Sequence, residues 1–596
     1  MLFSLYERTG NMDNLESASS TVKMAVSAMP EDHPDREILL GNLGNILWRC
    51  YKQTGNLDYL ESAISTVKTA LPASPKGHPD LAGRLNRLAN MLFSLYERTG
   101  NMDDLESAIS RGKMAVSAMP EDHPDRAILL GNLGNSLWRR YERTSSLDDL
   151  ESAISMAEMA LSAMPEHHPN QAGGFNMLAN MLSSRYKRTG NLDDLESAIS
   201  QAEMALSAVP KDHPNQATLL GNLGNTLWKH YKRTGNMDNL ELAISRVKMA
   251  ASATPKGHPD RAGRLNMLAN MLFNRYERTS NLDDLDSAIS IIEMAVSAIP
   301  EHHPDQAGGL NMLANMLSSR YKRTGNLDDL ESAISKAEMA LSATPEGHPS
   351  QVTLLGNLGN ILWRRYQRTG NMDDLESAIS KATITASATP EDAPDQVGRL
   401  NRLANMLSSR YERTGNIDDL ESAISKIEMA VSATPENHPD RSTLLSNLGN
   451  NLWKRYKQSG NMDDLELAIS KVEIAVLATP EDSPQQPERL NRLAYMSSCL
   501  YVRTGSMDDL ESAISKAEMA VSATPEGHHE QTALLNDLAH TLSSYYEQTG
   551  NIDDLESAIS KIEIASTDTS KPGEQFMQPL QLDRQYERAG ISHFKD

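Results

Sequence analysis

The sequence predicts an all-α protein, an α-solenoid (superhelix) of about thirteen helix-turn-helix repeats of 45 residues. The motif YERTGN or a close variant recurs thirteen times, always 45 residues apart. The columns represented by Tyr51, Asp58 and Ala63 hold the same residue in all thirteen repeats. Within each repeat, apolar residues recur every three or four positions, which indicates helices. Unrelated globular domains would not share such columns.

The first helix of a repeat is exemplified by residues 34–53. Leu40, Leu43, Leu47 and Tyr51 fall three or four positions apart and predict one apolar face. The Thr-Gly-Asn sequence that follows favours a turn, so we expect the helix to end there.

The second helix is predicted over residues 58–73, with aspartate in its first turn and Pro75 beyond its end. Its expected buried residues are Leu60, Ala63, Ile64, Val67, Ala70 and Leu71. Two helices of this length cannot bury their apolar faces alone, so neighbouring pairs must stack.

A longer period overlies the repeat, because the first helix alternates between GNLGNxLW and LNxLANMLxS. Successive tryptophans are 90, 90, 135 and 90 residues apart. Residues 176–200 and 311–335 are identical at an offset of 135. The array therefore grew by copying its own repeats.

The repeat resembles a tetratricopeptide repeat, on the NLGN sequence of the first helix together with Ala63, Ala70 and Pro75. The resemblance covers residues 1–565 and leaves 566–596 as a degenerate or disordered tail. The usual repeat has about 34 residues, so the 45-residue period implies longer helices and a longer loop. The sequence is also similar to kinesin light chain repeats and to fungal arrays fused to CHAT-type protease or NTPase domains.

The start of the chain predicts a truncated first repeat, because residues 1–10 are identical to residues 91–100 in the middle of a first helix. We expect a fragment or an incomplete gene model rather than a signal peptide.

Composition narrows the function classes. The chain has 57 Lys+Arg, 80 Asp+Glu and two cysteines, Cys50 and Cys499, which excludes a disulfide framework and favours a reducing compartment. The net charge of −23 weighs against a nucleic-acid partner, and no apolar stretch is long enough to span a membrane. We therefore expect a cytoplasmic protein.

Catalytic and metal sites are not expected. Paired aspartates such as Asp103 and Asp104 recur in nearly every repeat, which favours a helix N-terminus over acid–base chemistry. Zinc needs its ligands around one ion, whereas histidines in successive loops lie a helix spacing apart, so we expect the His-Pro pairs to close the loops. These histidines are His33, His78, His123, His168, His213, His258, His303, His348, His438 and His528. We predict no enzyme activity, cofactor, metal or small-molecule substrate.

A column of asparagines on the first helix is the main candidate site. Its members are Asn45, Asn90, Asn135, Asn180, Asn225, Asn270, Asn315, Asn360, Asn405 and Asn450. On a helical wheel with Leu43 at 0° and about 100° per residue, they lie at about 200°, beside an apolar arc from 0° to about 140°. Asn86 and Asn90 form an i, i+4 pair, as do Asn176 and Asn180.

Five tryptophans lie at the rim of the same arc, each followed by a basic residue. The pairs are Trp48–Arg49, Trp138–Arg139, Trp228–Lys229, Trp363–Arg364 and Trp453–Lys454. Aromatic and arginine side chains often dominate interface energetics, and asparagine offers a peptide both a donor and an acceptor. The column resembles the asparagine ladders of tetratricopeptide superhelices that hold peptides in a concave groove. Alternatively, the asparagines bond only to neighbouring helices.

The predicted function is a scaffold that binds protein or extended peptide ligands in this groove. The alternative is the sensing or autoinhibitory region of a larger CHAT- or NTPase-linked signalling protein. Arg87, Arg402 and Arg492 partly resemble a carboxylate clamp, although the usual lysine is replaced by Gly41 or Asn86.

Overall fold

The computed structural model describes residues 2–9, 11–30, 33, 35–71, 81–165, 168–299, 304–390, 393, 395–480, 482–525, 528 and 530–567. These residues form 26 α-helices and no strand. The chain divides into two compact units, Met1–Ile299 and Pro300–Asp596. The predicted all-α repeat fold is confirmed.

Each repeat in the first unit consists of a first and a second helix. The first helices are α1 (Leu2–Thr9), α3 (Arg36–Thr54), α5 (Leu81–Thr99), α7 (Arg126–Thr144), α9 (Gln171–Thr189), α11 (Gln216–Thr234) and α13 (Pro259–Thr279). The second helices are α2 (Met12–Ala28), α4 (Leu57–Ala70), α6 (Met102–Ala118), α8 (Leu147–Ser162), α10 (Leu192–Ser207), α12 (Met237–Ala253) and α14 (Leu282–Ser297).

The second unit has the same arrangement. Its first helices are α15 (Pro304–Thr324), α17 (Ser350–Thr369), α19 (Gln396–Thr414), α21 (Arg441–Ser459), α23 (Gln486–Thr504) and α25 (Gln531–Thr549). Its second helices are α16 (Leu327–Ser342), α18 (Met372–Ala388), α20 (Ile417–Ser432), α22 (Met462–Leu477), α24 (Met507–Ser522) and α26 (Ile552–Thr567). The predicted tail lies outside the described residues after Thr567.

The turn within a repeat is fixed by local hydrogen bonds. Gly55 adopts a left-handed conformation, φ 69°, and its N–H donates to the Tyr51 carbonyl at 2.7 Å. The Asn56 side chain then accepts the Asp58 N–H at 3.0 Å, and Thr54 Oγ1 accepts the Asn56 N–H at 3.2 Å. The Thr-Gly-Asn sequence thus ends one helix and caps the next.

The loop between repeats is closed by its histidine. In His33, His123, His168, His213, His258, His348, His438 and His528, Nδ1 accepts the backbone N–H two residues later. His78 and His303 lie outside the described residues. The predicted loop role is confirmed for the eight described histidines.

The core follows the predicted apolar columns, with Leu60 and Ala63 fully buried in α4. Two details differ from the prediction: α4 ends at Ala70, and Leu71 is only half-buried. Small residues bring the two helices of a repeat together. A Cβ at Gly449 would lie 2.9 Å from the Ala468 carbonyl oxygen, so this position admits no side chain unless a helix shifts.

Within each unit, every helix packs against its repeat partner, and each second helix packs against the first helix of the next repeat. Successive first helices also contact each other, as α5, α7, α9, α11 and α13 do in the first unit and α19 and α21 do in the second. No equally extensive contact joins successive second helices among the described residues. First helices therefore line one face of each unit. No described helix has both the length and the apolar character that crossing a membrane requires.

Candidate functional site

All ten asparagines of the predicted column are half-buried on first helices. Their side chains form no hydrogen bond to any residue that the structure describes. The Asn450 Oδ1 atom is fully buried and also lacks a partner within the described chain. The column therefore presents amide groups that no neighbouring helix uses.

A different set of asparagines joins adjacent first helices. Asn132 Nδ2 donates to Asn86 Oδ1 at 3.2 Å, and the equivalent bonds Asn222–Asn176, Asn357–Asn311 and Asn447–Asn401 measure 2.9, 3.0 and 2.9 Å. Asn491 donates to Asp537 at 3.0 Å in the same way. We call the four amide–amide contacts the inter-repeat asparagine pairs. They occur only where a helix with an NxLAN sequence precedes a helix with an NLGN sequence.

These pairs show where the asparagine column lies. Asn90 follows Asn86 by one helical turn, as the spacing predicted, but Asn86 bonds across to Asn132. Asn135 follows Asn132 by three residues. Residues three or four apart share a helix face, so Asn90 and Asn135 flank the line along which two first helices meet. The column follows the first-helix face of each unit.

The five tryptophans are half-buried beside this column, and cations lie over the rings of four of them. The Nζ atoms of Lys52, Lys232 and Lys457 lie 4.2, 3.7 and 5.8 Å from the ring centroids of the tryptophans four residues earlier. The Cζ atom of Arg139 lies 5.7 Å from the ring centroid of the adjacent Trp138. The residue that covers the ring is thus usually one turn later, not the adjacent basic residue that sequence singled out.

Four indole N–H groups are buried without an acceptor in the described chain, namely those of Trp48, Trp138, Trp228 and Trp363. A buried indole N–H ordinarily finds a partner. These four indole N–H groups are therefore unsatisfied hydrogen-bond donors within the described chain.

The basic residues after tryptophan mostly contact the preceding repeat. Lys229 Nζ donates to Ser183 Oγ at 2.6 Å, and Arg364 donates to Ser318. Burial and the charge of Lys187 lower the pKa of Lys229 to about 8. Burial also lowers the pKa of Arg364. These cations therefore join repeats and are only partly available to a ligand.

Lys454 also contacts the preceding repeat, whereas Arg139 and Arg49 differ. Lys454 Nζ lies 2.6 Å from both Ser408 Oγ and a Glu412 carboxylate oxygen. Arg139 pairs with Glu142 at 2.9 Å, and Arg49 is exposed. Arg49 alone among the five extends freely into solvent from the described chain.

The sequence reading missed an ion pair within seven repeats. An arginine near the end of the first helix binds a buried aspartate of the second helix through two hydrogen bonds. The pairs are Arg140–Asp149, Arg185–Asp194, Arg275–Asp284, Arg320–Asp329, Arg365–Asp374, Arg410–Asp419 and Arg455–Asp464. The hydrogen bond to aspartate raises the pKa of the arginine, as it does for Arg410 and Arg140. The second aspartate of each pair lies in the first turn of its helix, as expected, and its carboxylate also binds the neighbouring helix.

In the repeats of His230 and Cys50, the arginine and the aspartate of this ion pair are replaced together. Where the arginine becomes His230, the aspartate becomes Asn239, and the two side chains lie 2.6 Å apart. Where it becomes Cys50, the aspartate becomes Tyr59.

Two neighbouring cavities open on the second unit. One, of about 620 Å³, is lined by Asn401, Arg402 and His438, and the other, of about 170 Å³, by Asn360 and Arg402. Burial and the charge of Arg399 lower the pKa of Arg402. Asn360 and Arg402 thus line the same cavity.

The described residues contain no group of three or more His, Cys, Asp or Glu side chains placed to hold a metal ion.

A family model described as tetratricopeptide repeat matches residues 81–125, 126–170, 261–305, 307–350 and 398–440. Each matched range covers most of one helix pair. No curated protein matches the sequence.

Three solved structures match parts of this chain. A kinesin light chain-like protein of nearly identical TPR-like repeats from Podospora anserina is 17% identical, with 38% of this chain and 100% of that chain covered and a TM-score of 0.28. The C-terminal part of a TPR repeat-containing protein from Cytophaga hutchinsonii is 14% identical, with coverages of 51% and 100% and a TM-score of 0.36. The human IFIT1 dimer with PPP-AAAA is 15% identical, with coverages of 87% and 96% and a TM-score of 0.36.

Proposed function

Because five of its repeats match the tetratricopeptide repeat model, we propose that the first-helix face binds extended peptide segments of protein ligands and so scaffolds an assembly. Such repeats generally mediate protein–protein interactions, and the fold is generally non-catalytic. The proposed setting is the cytoplasm, which agrees with two cysteines in 596 residues.

The observation that carries the proposal is the contrast between two asparagine sets on the same helices. The inter-repeat asparagine pairs satisfy each other at 2.9–3.2 Å. The asparagine column, one turn away, makes no side-chain hydrogen bond to a described residue. An extended peptide backbone offers one donor and one acceptor per residue, which is what an asparagine amide complements.

The tryptophans extend this surface. Their rings are half-buried at the side of the column, and cations over four of the five rings leave a mixed apolar and basic rim. Such aromatic anchors supply the apolar contact area that amide hydrogen bonds lack.

The test replaces Asn180, Asn225 and Asn270 with alanine. Since the described structure gives these side chains no partner, we expect little change in melting temperature. Ligands recovered from a lysate by wild-type protein should bind the variant about tenfold to a thousandfold more weakly, because each lost bond costs about 0.5–1.5 kcal/mol. Calorimetry with the recovered ligand measures this change.

Asn222→Ala is the matched control, because Asn222 lies on the same face but bonds to Asn176 at 2.9 Å. We expect it to lower stability and leave affinity per folded molecule unchanged. Unaltered ligand affinity in the triple variant, with lowered stability, would favour the reading in which the column only joins helices.

The second candidate function is the sensing or autoinhibitory part of a larger signalling protein. The similarity of the repeats to fungal arrays with CHAT-type protease or NTPase domains motivates it. Sequencing the transcript beyond both ends of this chain would discriminate it from a free-standing scaffold.

A further inference from the structure

The second helix α22 carries an exposed apolar surface that the first-helix proposal does not use. Leu467, Ile474 and Leu477 are 40, 45 and 85% exposed. They are seven and three residues apart, so at 100° per residue they fall within about 80° of the helix circumference. We call these three residues the outer apolar patch.

The patch is particular to this repeat. Most other repeats carry serine at the positions of Leu467 and Leu477, such as Ser422 and Ser432 on α20. At the position of Ile474, by contrast, nearly every repeat has an exposed methionine or isoleucine. The neighbouring examples are Ile384, Met429 and Met519, which are 49, 41 and 46% exposed. The patch therefore widens a row of apolar side chains that continues on adjacent second helices.

Acidic side chains interleave with the patch. Asp463, Glu466 and Glu473 are exposed and, at 100° per residue, share an arc of about 120° with its apolar residues. None of them forms an ion pair with a described residue. Lys471 is the one basic side chain of α22, and it is half-buried.

This charge pattern decides between possible occupants. A second copy would bring the same carboxylates opposite each other, in a chain of net charge −23, and an anionic membrane would be repelled in the same way. A segment with apolar and basic residues on one face would instead bury the patch and neutralise the acids. Flexible methionines on either side adapt readily to such a ligand.

We propose that the outer apolar patch and its carboxylates bind a basic amphipathic helical segment of another protein. The binding surface lies on a second helix and is independent of the asparagine column. A scaffold would then hold one ligand on its first helices and another on α22.

The probe is a labelled amphipathic peptide of leucine and lysine, about five helical turns long, compared with a leucine–glutamate peptide of equal length. Fluorescence anisotropy with the full chain should show binding of the lysine peptide alone. The variant Leu467→Ser/Ile474→Thr/Leu477→Ser uses residues that other repeats carry at these exposed positions, so it should fold normally. We expect it to bind the lysine peptide roughly tenfold more weakly.

Three further proteins make the test specific. Glu466→Gln/Glu473→Gln should weaken binding and reduce its salt dependence. Ser422→Leu/Ser432→Leu should create a second binding site on α20, around Met429. The triple asparagine variant described above should bind the lysine peptide normally, so failure of this proposal is distinguishable from failure of the first.

Equal binding of the lysine peptide to wild type and to the patch variant would overturn the proposal, because it would show attraction to the acidic surface in general. A concentration-dependent dimer in sedimentation velocity that the patch variant loses would also overturn it, in favour of a second copy. Patch-dependent binding to neutral lipid vesicles without the lysine peptide's preference would have the same consequence.

Discussion

Lys229 shows how burial acts on a single side chain of this array. Its ammonium lies 2.6 Å from Ser183 Oγ, and burial with the nearby charge of Lys187 lowers its pKa from 10.5 to about 8. Between these two values the unfolded chain binds more protons at Lys229 than the folded chain does. The free energy of unfolding contributed by this group therefore rises with pH across that window.

The corresponding prediction compares Lys229→Gln with wild type. As the pH increases from about 7.5 to about 10.5, the wild-type free energy of unfolding should rise relative to that of the variant, because wild type sheds its buried charge. Urea unfolding at several pH values measures the difference. Lys229→Arg is the control that remains charged and should show no such rise. Parallel pH profiles for wild type and Lys229→Gln would contradict the prediction.

Sequence could assign the residues of the asparagine column to one helix face, because that requires only the 3.6-residue period. It could not assign the partner of Asn86, which is Asn132 on the next helix at 3.2 Å. Nor did it identify Lys52 as the cation over Trp48. These contacts depend on side-chain rotamers and on the register between stacked repeats.

Helix ends were predictable because their signals are local. Gly55 takes a positive φ and Asn56 caps α4, as the Thr-Gly-Asn sequence indicated. The joint between the two helices of a repeat was missed, because Arg410 and Asp419 are nine residues apart and belong to different helices. Joint replacement of the two residues in some repeats was the available signal.

The Arg410–Asp419 ion pair gives a prediction for how α19 is held against α20. The Asp419 side chain is 6% exposed and that of Arg410 is 29% exposed. Asp419→Asn should cost about 2–3 kcal/mol of unfolding free energy, somewhat less than for a fully buried pair because Arg410 retains solvent. Chemical denaturation measures the loss.

The chain provides its own compensating variant for this test. Arg410→His/Asp419→Asn reproduces the His230–Asn239 contact of α11 and α12. We expect the double variant to be more stable than Asp419→Asn alone, since it leaves no unpaired arginine. If both variants lost the same free energy, the ion pair would not be the joint between these helices.

The fold of the whole chain was predictable from its period, since each described helix packs mainly on its sequence neighbours. Stability should therefore accumulate repeat by repeat. Deletion of residues 126–170, one complete repeat, should leave a folded, shorter array. Circular dichroism and urea unfolding would test this, and complete unfolding of the remaining chain would show that stability is not local.

A second deletion refines this expectation. Removing residues 126–170 puts Met177 where Asn86 needs an amide partner, whereas removing residues 126–215 puts Asn222 there. The longer deletion should therefore preserve an inter-repeat asparagine pair that the shorter one loses. Its new interface should be more stable by about 1 kcal/mol.

Because these asparagines pair only between alternating types of first helix, it matters whether the gene gains or loses an even or an odd number of repeats. Unequal recombination that adds or removes an even number of repeats returns each asparagine to a partner, but an odd number leaves one without. The two identical segments, 176–200 and 311–335, are offset by 135 residues, which is three repeats. Asn266 is followed 46 residues later by Met312 in place of asparagine. The Asn266 Oδ1 atom is buried and lacks a partner among the described residues. Selection for pairing would favour alleles that differ in length by multiples of 90 residues.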